Sequence, residues 1–196
     1  MSQTVLITGA SNGIGKACAR VFARKGYDLV LVARHREKLE AVKAELSEYD
    51  VQIKVIAMDL TGEDAAVDLY NNLVLDDISI DILVNNAGFG DHGAFHDSSW
   101  EKQKKMVLLN IVALMQMTYV FGQSMKRRKK GRILNVASIA GLCAGPYMST
   151  YYATKAFVLS FSESIDYELK DYNVEVSCLC PGPTKTGFMD VANLGQ

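Results

Sequence analysis

The stretch Tyr147-Met-Ser-Thr-Tyr151-Tyr152-Ala-Thr-Lys155 places two tyrosines side by side, four and three residues ahead of a lysine. On a helix, residues four apart lie one above the other, so Tyr151 and Lys155 share a face while Tyr152 turns away from it. A phenol held beside an ammonium is a proton donor and acceptor. Unperturbed, it titrates at about 10, too high for efficient exchange near neutrality. A neighbouring positive charge favours the phenolate, so Lys155 is expected to lower the pKa of Tyr151. The same letters also fit ordinary helix packing, and the surrounding chain has to decide between the two.

A second chemical signal is Thr8-Gly9-Ala10-Ser11-Asn12-Gly13-Ile14-Gly15, between an apolar run and a helical pattern. Glycines at this spacing suit a tight turn that approaches a phosphate closely and packs a helix on its strand. The helix start then offers unpaired N–H groups and partial positive charge to a pyrophosphate. The next strand ends Val32-Ala33-Arg34. A carboxylate there would bond a ribose 2′-hydroxyl, whereas Ala33 supplies none and the Arg34 fork suits a 2′-phosphate. With Lys38 one turn later, the expected cofactor is NADP(H) in preference to NAD(H).

These groups need a scaffold, and the hydrophobic pattern supplies one. Thr4–Thr8, Asp28–Ala33, Gln52–Met58, Asp81–Asn85, Arg132–Ala137 and Val174–Cys180 read as strands. Several are apolar at consecutive positions, as strands covered on both faces must be. Between them run helical stretches such as Ile14–Lys25, Glu37–Glu48 and Thr150–Lys170. The expectation is an α/β fold with a Rossmann-type doubly wound parallel sheet, with about six strands present. The 196 residues are expected to form a single dinucleotide-binding catalytic domain, 1–196, short at its C-terminus.

Composition narrows the function further. A formal net charge of −1 gives no pull toward nucleic acid, and the basic run Lys126–Lys130 reads as a solvated helix end. Cys18, Cys143, Cys178 and Cys180 show no metal-ligand spacing and read as apolar core residues of a cytoplasmic protein. His35, His92 and His96 read as surface residues, so no metal site is expected. The apolar stretch Val107–Phe121 carries Asn110 and Gln116, which argues against a membrane span.

The chain resembles the short-chain dehydrogenases/reductases, of the NADP-preferring, ketoacyl-reductase-like kind. The residues that carry the resemblance are Thr8–Gly15, Asp59-Leu60, Asn85-Asn86-Ala87-Gly88, Asn110, Ser138, Tyr151-x-x-x-Lys155 and Pro181-Gly182, across residues 4–188. The resemblance implies that Gly9, Ser11, Asn12, Gly13, Ile14 and Gly15 bind cofactor, with Arg34, Lys38, Asp59, Leu60, Asn86, Ala87, Gly88, Pro181, Gly182 and Thr184. It implies a catalytic set of Asn110, Ser138, Tyr151 and Lys155. In that set Tyr151 is the acid/base, Ser138 a second donor to the carbonyl oxygen and Asn110 a holder of water. Lys155 also bonds the nicotinamide ribose. The implied reaction is hydride transfer between a ketone or aldehyde and an alcohol.

Phe89 and Phe95 follow the fourth strand at the edge where α/β proteins bind ligands. With Leu142 and Tyr147 they are expected to line an apolar pocket, while Asp91 and His92 read as solvated loop residues. Members of the family continue to a substrate-covering segment and a seventh strand, neither of which this sequence reaches. Two expectations stand: a fragment of a longer reductase, or a short protein that binds dinucleotide as a sensor or scaffold. The helices at about 98–124 and 150–171 are expected to pair copies into a homodimer or homotetramer.

Overall fold

The structure is a computed structural model in which residues 2–184 are described. The tail from Lys185 to Gln196 lies outside the described residues. Six strands form one parallel sheet: β1 (Thr4–Thr8), β2 (Asp28–Ala33), β3 (Ile53–Ala57), β4 (Ile82–Asn85), β5 (Gly131–Val136) and β6 (Val174–Leu179). Their spatial order is β3-β2-β1-β4-β5-β6. The chain therefore leaves β1 in one direction for β2 and β3, then returns to the other side for β4. That reversal opens a crevice at the carboxyl ends of β1 and β4, where a doubly wound sheet binds its ligand.

Consecutive apolar residues are needed because both faces are covered. Val5, Ile7, Leu29, Leu31, Ile82 and Val84 pack on one face with Ala19, Ala23, Leu39 and Val42 from α1 (Gly13–Arg24) and α2 (Arg36–Glu45). Leu6, Val30, Val32 and Leu83 point the other way, into a cluster with Leu69, Leu73, Met117, Phe121 and Met125. Those partners come from α3 (Ala65–Leu75) and α5 (Leu114–Arg128). Each fully buried side chain of this size is worth roughly 1.5–3 kcal/mol, so the two layers dominate the stability. β6, at the margin of the sheet among the described residues, instead alternates, with Val174 and Val176 buried and Glu175 and Ser177 exposed.

The stretch 98–124, expected as one helix, is built differently. α4 (Trp100–Val107) passes into a π turn over Leu108–Ala113 before α5 begins. A π turn widens the ring by one residue and is found most often at functional sites. By length and composition Trp100–Arg128 could cross a membrane. Here Met106, Asn110, Ala113, Met117, Phe121 and Met125 form its buried side. α5 ends where Lys129 takes a left-handed conformation, φ 52°.

Inside the sheet, amides replace hydrocarbon at one level. Asn85 and Asn135 are register partners on β4 and β5. Asn85 donates to Asn135 Oδ1 at 2.9 Å and to Thr118 Oγ1 at 3.1 Å, and Asn135 donates to Ser162 Oγ at 3.0 Å. This chain crosses from α5 through two strands to α6 (Ser149–Leu169). Its directional hydrogen bonds fix strand register in a way interchangeable aliphatic side chains do not, with Asn85 Oδ1 left as its one buried oxygen without a partner among the described residues.

Candidate active site

The turn from β1 to α1 is packed against the first residues after β4. The Thr8 hydroxyl accepts from the backbone of Asn86 (2.9 Å) and Ala87 (3.0 Å), and donates to the Val84 carbonyl (3.3 Å). The Asn86 side chain returns the link, donating to the carbonyls of Thr8 and Gly9 at 3.0 and 3.2 Å. A Cβ on Gly15 would stand 2.4 Å from the Gly9 carbonyl oxygen. Gly9 and Gly15 are thus demanded by contact of protein with protein. Gly13 is demanded by its left-handed backbone, φ 54°. Asn12 caps α1, its Oδ1 accepting from Gly13 N at 2.7 Å. The N–H groups of the first turn, including those of Ile14 and Gly15, have no carbonyl one turn earlier and point out of the helix end beside Ser11.

Arg34 and Lys38 are exposed at the end of β2 and the start of α2. Asp59 follows β3, where the backbone and hydroxyl of Thr61 bond its carboxylate and hold its pKa down, with help from the charge of Arg34. Leu60 beside it is buried. Gly88 is exposed after β4, and a Cβ there would come within 2.9 Å of Asn110 Oδ1 and 3.7 Å of Lys155 Nζ. Pro181 ties its carbonyl to Ile139 N at 3.1 Å, with Gly182 and Thr184 exposed just beyond. The dinucleotide-binding residues expected from the sequence therefore border one continuous edge of the sheet. Backbone donors, a bare glycine surface and an external arginine on that edge fit a phosphorylated nucleotide.

The acid/base set converges at the same edge. Ser138 lies beyond β5 and not within it, capping the short 3-10 turn Ile139–Leu142 with its Oγ accepting from Ala140 N at 3.1 Å. That leaves its proton to donate, and it hydrogen-bonds the Tyr151 phenol. Lys155 sits one turn below Tyr151, with Nζ 5.8 Å from the ring centroid and 2.8 Å from the Val136 carbonyl. Tyr151 is 8% and Lys155 6% exposed, so both work in a dry environment.

That dryness overturns one expectation. Burial pushes the Tyr151 phenol up from its ordinary value, and the Ser138 hydrogen bond only partly offsets this. Lys155 is itself lowered to about 8, since burial disfavours its ammonium more than the nearby Cys178 and Cys180 thiols favour it. The lysine does not lower the phenol in this state of the site, because its own charge is the more costly to bury.

Asn110 sits in the π turn with its amide committed. It donates to the Phe89 carbonyl (2.9 Å) and Thr154 Oγ1 (3.1 Å), and accepts from Phe89 N (3.1 Å). The water-holding role expected for it does not use these side-chain hydrogens, which strap Phe89 to α6. Thr154 continues the strap to the Tyr151 carbonyl at 2.7 Å. Of the expected pocket residues, Phe89 is half-buried, while Phe95, Leu142 and Tyr147 are exposed at the rim. Asp91 is not solvated: it is buried, bonded by Lys102 Nζ at 2.5 Å and Gln103 Nε2 at 3.0 Å. Cys143 reverses the other way and is exposed, not core.

The family model for short chain dehydrogenases matches residues 3–195. The chain belongs to the short-chain dehydrogenase/reductase family. It is 35% identical over 194 residues to nodulation protein G of Rhizobium sp. (strain N33), covering 97% of this chain and 77% of that protein. It is 36% identical over 182 residues to a very-long-chain 3-oxoacyl-CoA reductase of Phaeosphaeria nodorum, of whose length it spans 52%. A short-chain dehydrogenase from Sphingobium yanoikuyae, solved in complex with NADPH, superposes with a TM-score of 0.92 at 37% identity. The match covers 97% of this chain and 75% of that one. Within this dehydrogenase fold, sequence reasoning missed the bracing role of Thr8, and missed Thr154 and Met106 altogether, the last packed against Tyr151. For Thr8 the available signal was a threonine directly after the buried run Val5–Ile7, where a buried hydroxyl needs partners.

Proposed function

We propose that this dehydrogenase uses NADP(H) to interconvert a ketone or aldehyde with an alcohol, Tyr151 carrying the proton. The observation that carries this reading is the Ser138 hydroxyl bonded to a buried Tyr151 phenol, with Lys155 fixed one turn below. A nicotinamide bound along the sheet edge supplies or accepts the hydride. As carbonyl becomes alkoxide, Ser138 and Tyr151 donate to the oxygen, and Tyr151 then releases its proton to it. Burial that raises the phenol's pKa keeps that proton in place until the alkoxide forms. Gly88 leaves room beside Lys155 for a sugar edge, and the lysine, held by the Val136 carbonyl, has further N–H groups to offer to it. Arg34 supports NADP(H) over NAD(H) through a fork open to a 2′-phosphate. Asn110 positions the wall of the site by fixing Phe89.

Two copies are proposed to associate through α5 and α6. A shallow groove of about 230 Å³ between them is lined by Met115, Tyr119, Phe161, Ile165 and Leu169. Tyr119 is 67% exposed on the separate chain, a large apolar area for a second copy to cover. A cytoplasmic location, expected from the spacing of the four cysteines, belongs to the same proposal.

Replacing Tyr151 by Phe tests the core of the reading. The variant is expected to bind NADPH as the parent does while turnover on carbonyl substrates falls at least ~100-fold, the usual scale for a lost general acid. Equal turnover would remove Tyr151 from the chemistry and favour a dinucleotide-binding sensor.

A further inference from the structure

Four non-glycine residues among those described have positive φ: Asp77, Lys129, Asn173 and Tyr147. Three of them end helical segments, where a left-handed residue is the usual terminator. Lys129 closes α5, Asn173 closes the short 3-10 turn before β6, and Asp77 follows α3. Tyr147 ends nothing. It stands before α6 in the turn Gly145-Pro146-Tyr147-Met148, closed by Met148 N donating to the Gly145 carbonyl at 3.1 Å. Proline at the second position and φ 65° at the third are the marks of a type II turn, whose third position calls for glycine or asparagine. A tyrosine there is strained, and its side chain, 62% exposed, recovers little by burial.

The strained residue is also held in place. Gly93 N donates to the Tyr147 carbonyl at 2.8 Å, and the ring lies 6.1 Å from that of His92, tilted by 36°. The loop supplying these partners is fixed by Asp91 on Lys102 and Gln103 and by Asn110 on Phe89. The ring thus stands at the rim, four residues before the phenol that handles the proton, with Leu142 66% and Ile139 47% exposed on the adjoining turn.

We propose that Tyr147 is the specificity-determining residue, kept against its backbone preference so that its ring stacks on the body of the substrate. The substrate class is a carbonyl compound carrying a flat apolar ring next to the reacting carbon. This rests on the carbonyl-reductase reading above. Tyr147 touches the bound substrate away from the reacting atoms, so its loss affects recognition more than the chemical step.

The test compares the parent with Tyr147→Gly and Tyr147→Phe, using acetophenone and 2-butanone as probes with NADPH. Tyr147→Gly relieves the strain and is expected to melt about 2–4 °C higher, the scale of one relieved left-handed residue in a chain of this size. Its KM for acetophenone is expected to rise about tenfold, lowering the acetophenone-to-butanone ratio of kcat/KM by a similar factor. Tyr147→Phe retains the ring and is expected to retain that ratio. A ratio equal to the parent's in the glycine variant, or a lower melting temperature, overturns the proposal while leaving the reductase reading intact. A parent that reduces neither ketone overturns both, and melting temperatures show whether the chains are folded in that case.

Discussion

At the scale of single residues, the site is governed by what burial does to charge. Lys155 titrates at about 8 when folded against 10.5 ordinarily. Between those values the unfolded chain binds more protons than the folded one, so this residue's contribution to stability rises as pH rises from 8 to 10.5. Below pH 8 its cost is fully present, on the order of 3 kcal/mol for a shift of this size. Measured without cofactor, the melting temperature of the parent relative to Lys155→Met is expected to climb between pH 7.5 and 9.5. A flat difference would show that the ammonium is solvated in the folded chain. Asn110→Ala is expected to lose roughly 2 kcal/mol of stability in urea unfolding, because the backbone of Phe89 loses buried partners. Tyr151 and Lys155 were legible as candidates from their helical spacing, Ser138 from the family resemblance, and Asn110 as a polar residue amid apolar neighbours. The sign of the pKa shifts was not, since spacing gives proximity but says nothing of how dry the neighbourhood is.

At the scale of elements, the β1–α1 turn is the least tolerant piece. Gly15→Ala would press a methyl into the Gly9 carbonyl, where only backbone can give way. It is expected to cost about 1–3 kcal/mol, read as a lower urea midpoint. Gly62→Ala, whose nearest neighbour would be 3.7 Å away, is expected to change stability by less than about 0.5 kcal/mol. Strand and helix identities were readable because apolar runs and helical periodicity alternate without ambiguity. Ends drifted by one to three residues: the third strand starts at Ile53 and not Gln52, and the second helix stops at Glu45 and not Glu48. The π turn was not readable from periodicity, because Leu108, Leu109, Ile111 and Val112 are apolar all round and leave no stripe to shift. Asn110, polar amid Leu109, Ile111 and Val112, was the one visible sign that the helix served something other than packing.

At the scale of the whole molecule, two surfaces make separate claims. Arg34→Ala is expected to reduce the preference for NADPH over NADH by roughly tenfold in fluorescence titrations, about the worth of one charge-assisted contact. Tyr119→Lys is expected to shift the sedimentation coefficient toward that of a single chain, and an identical profile would remove α5 from the interface. The parallel order of the sheet was inferable from alternation, but strand neighbours and the inward pairing of Asn85 with Asn135 required the coordinates. The strand order also carries a consequence for synthesis. β2 pairs with both β1 and β3 within the first 57 residues, whereas β4 joins β1, and β5 and β6 extend the sheet beyond it, only after longer intervals of chain. Nearby pairings close sooner than distant ones as a polypeptide is made. On the ribosome, the half that carries Gly9–Gly15 and Arg34 can take shape while Ser138, Tyr151 and Lys155 are still being translated, so the phosphate-side turn is in place before the chain has a proton to give.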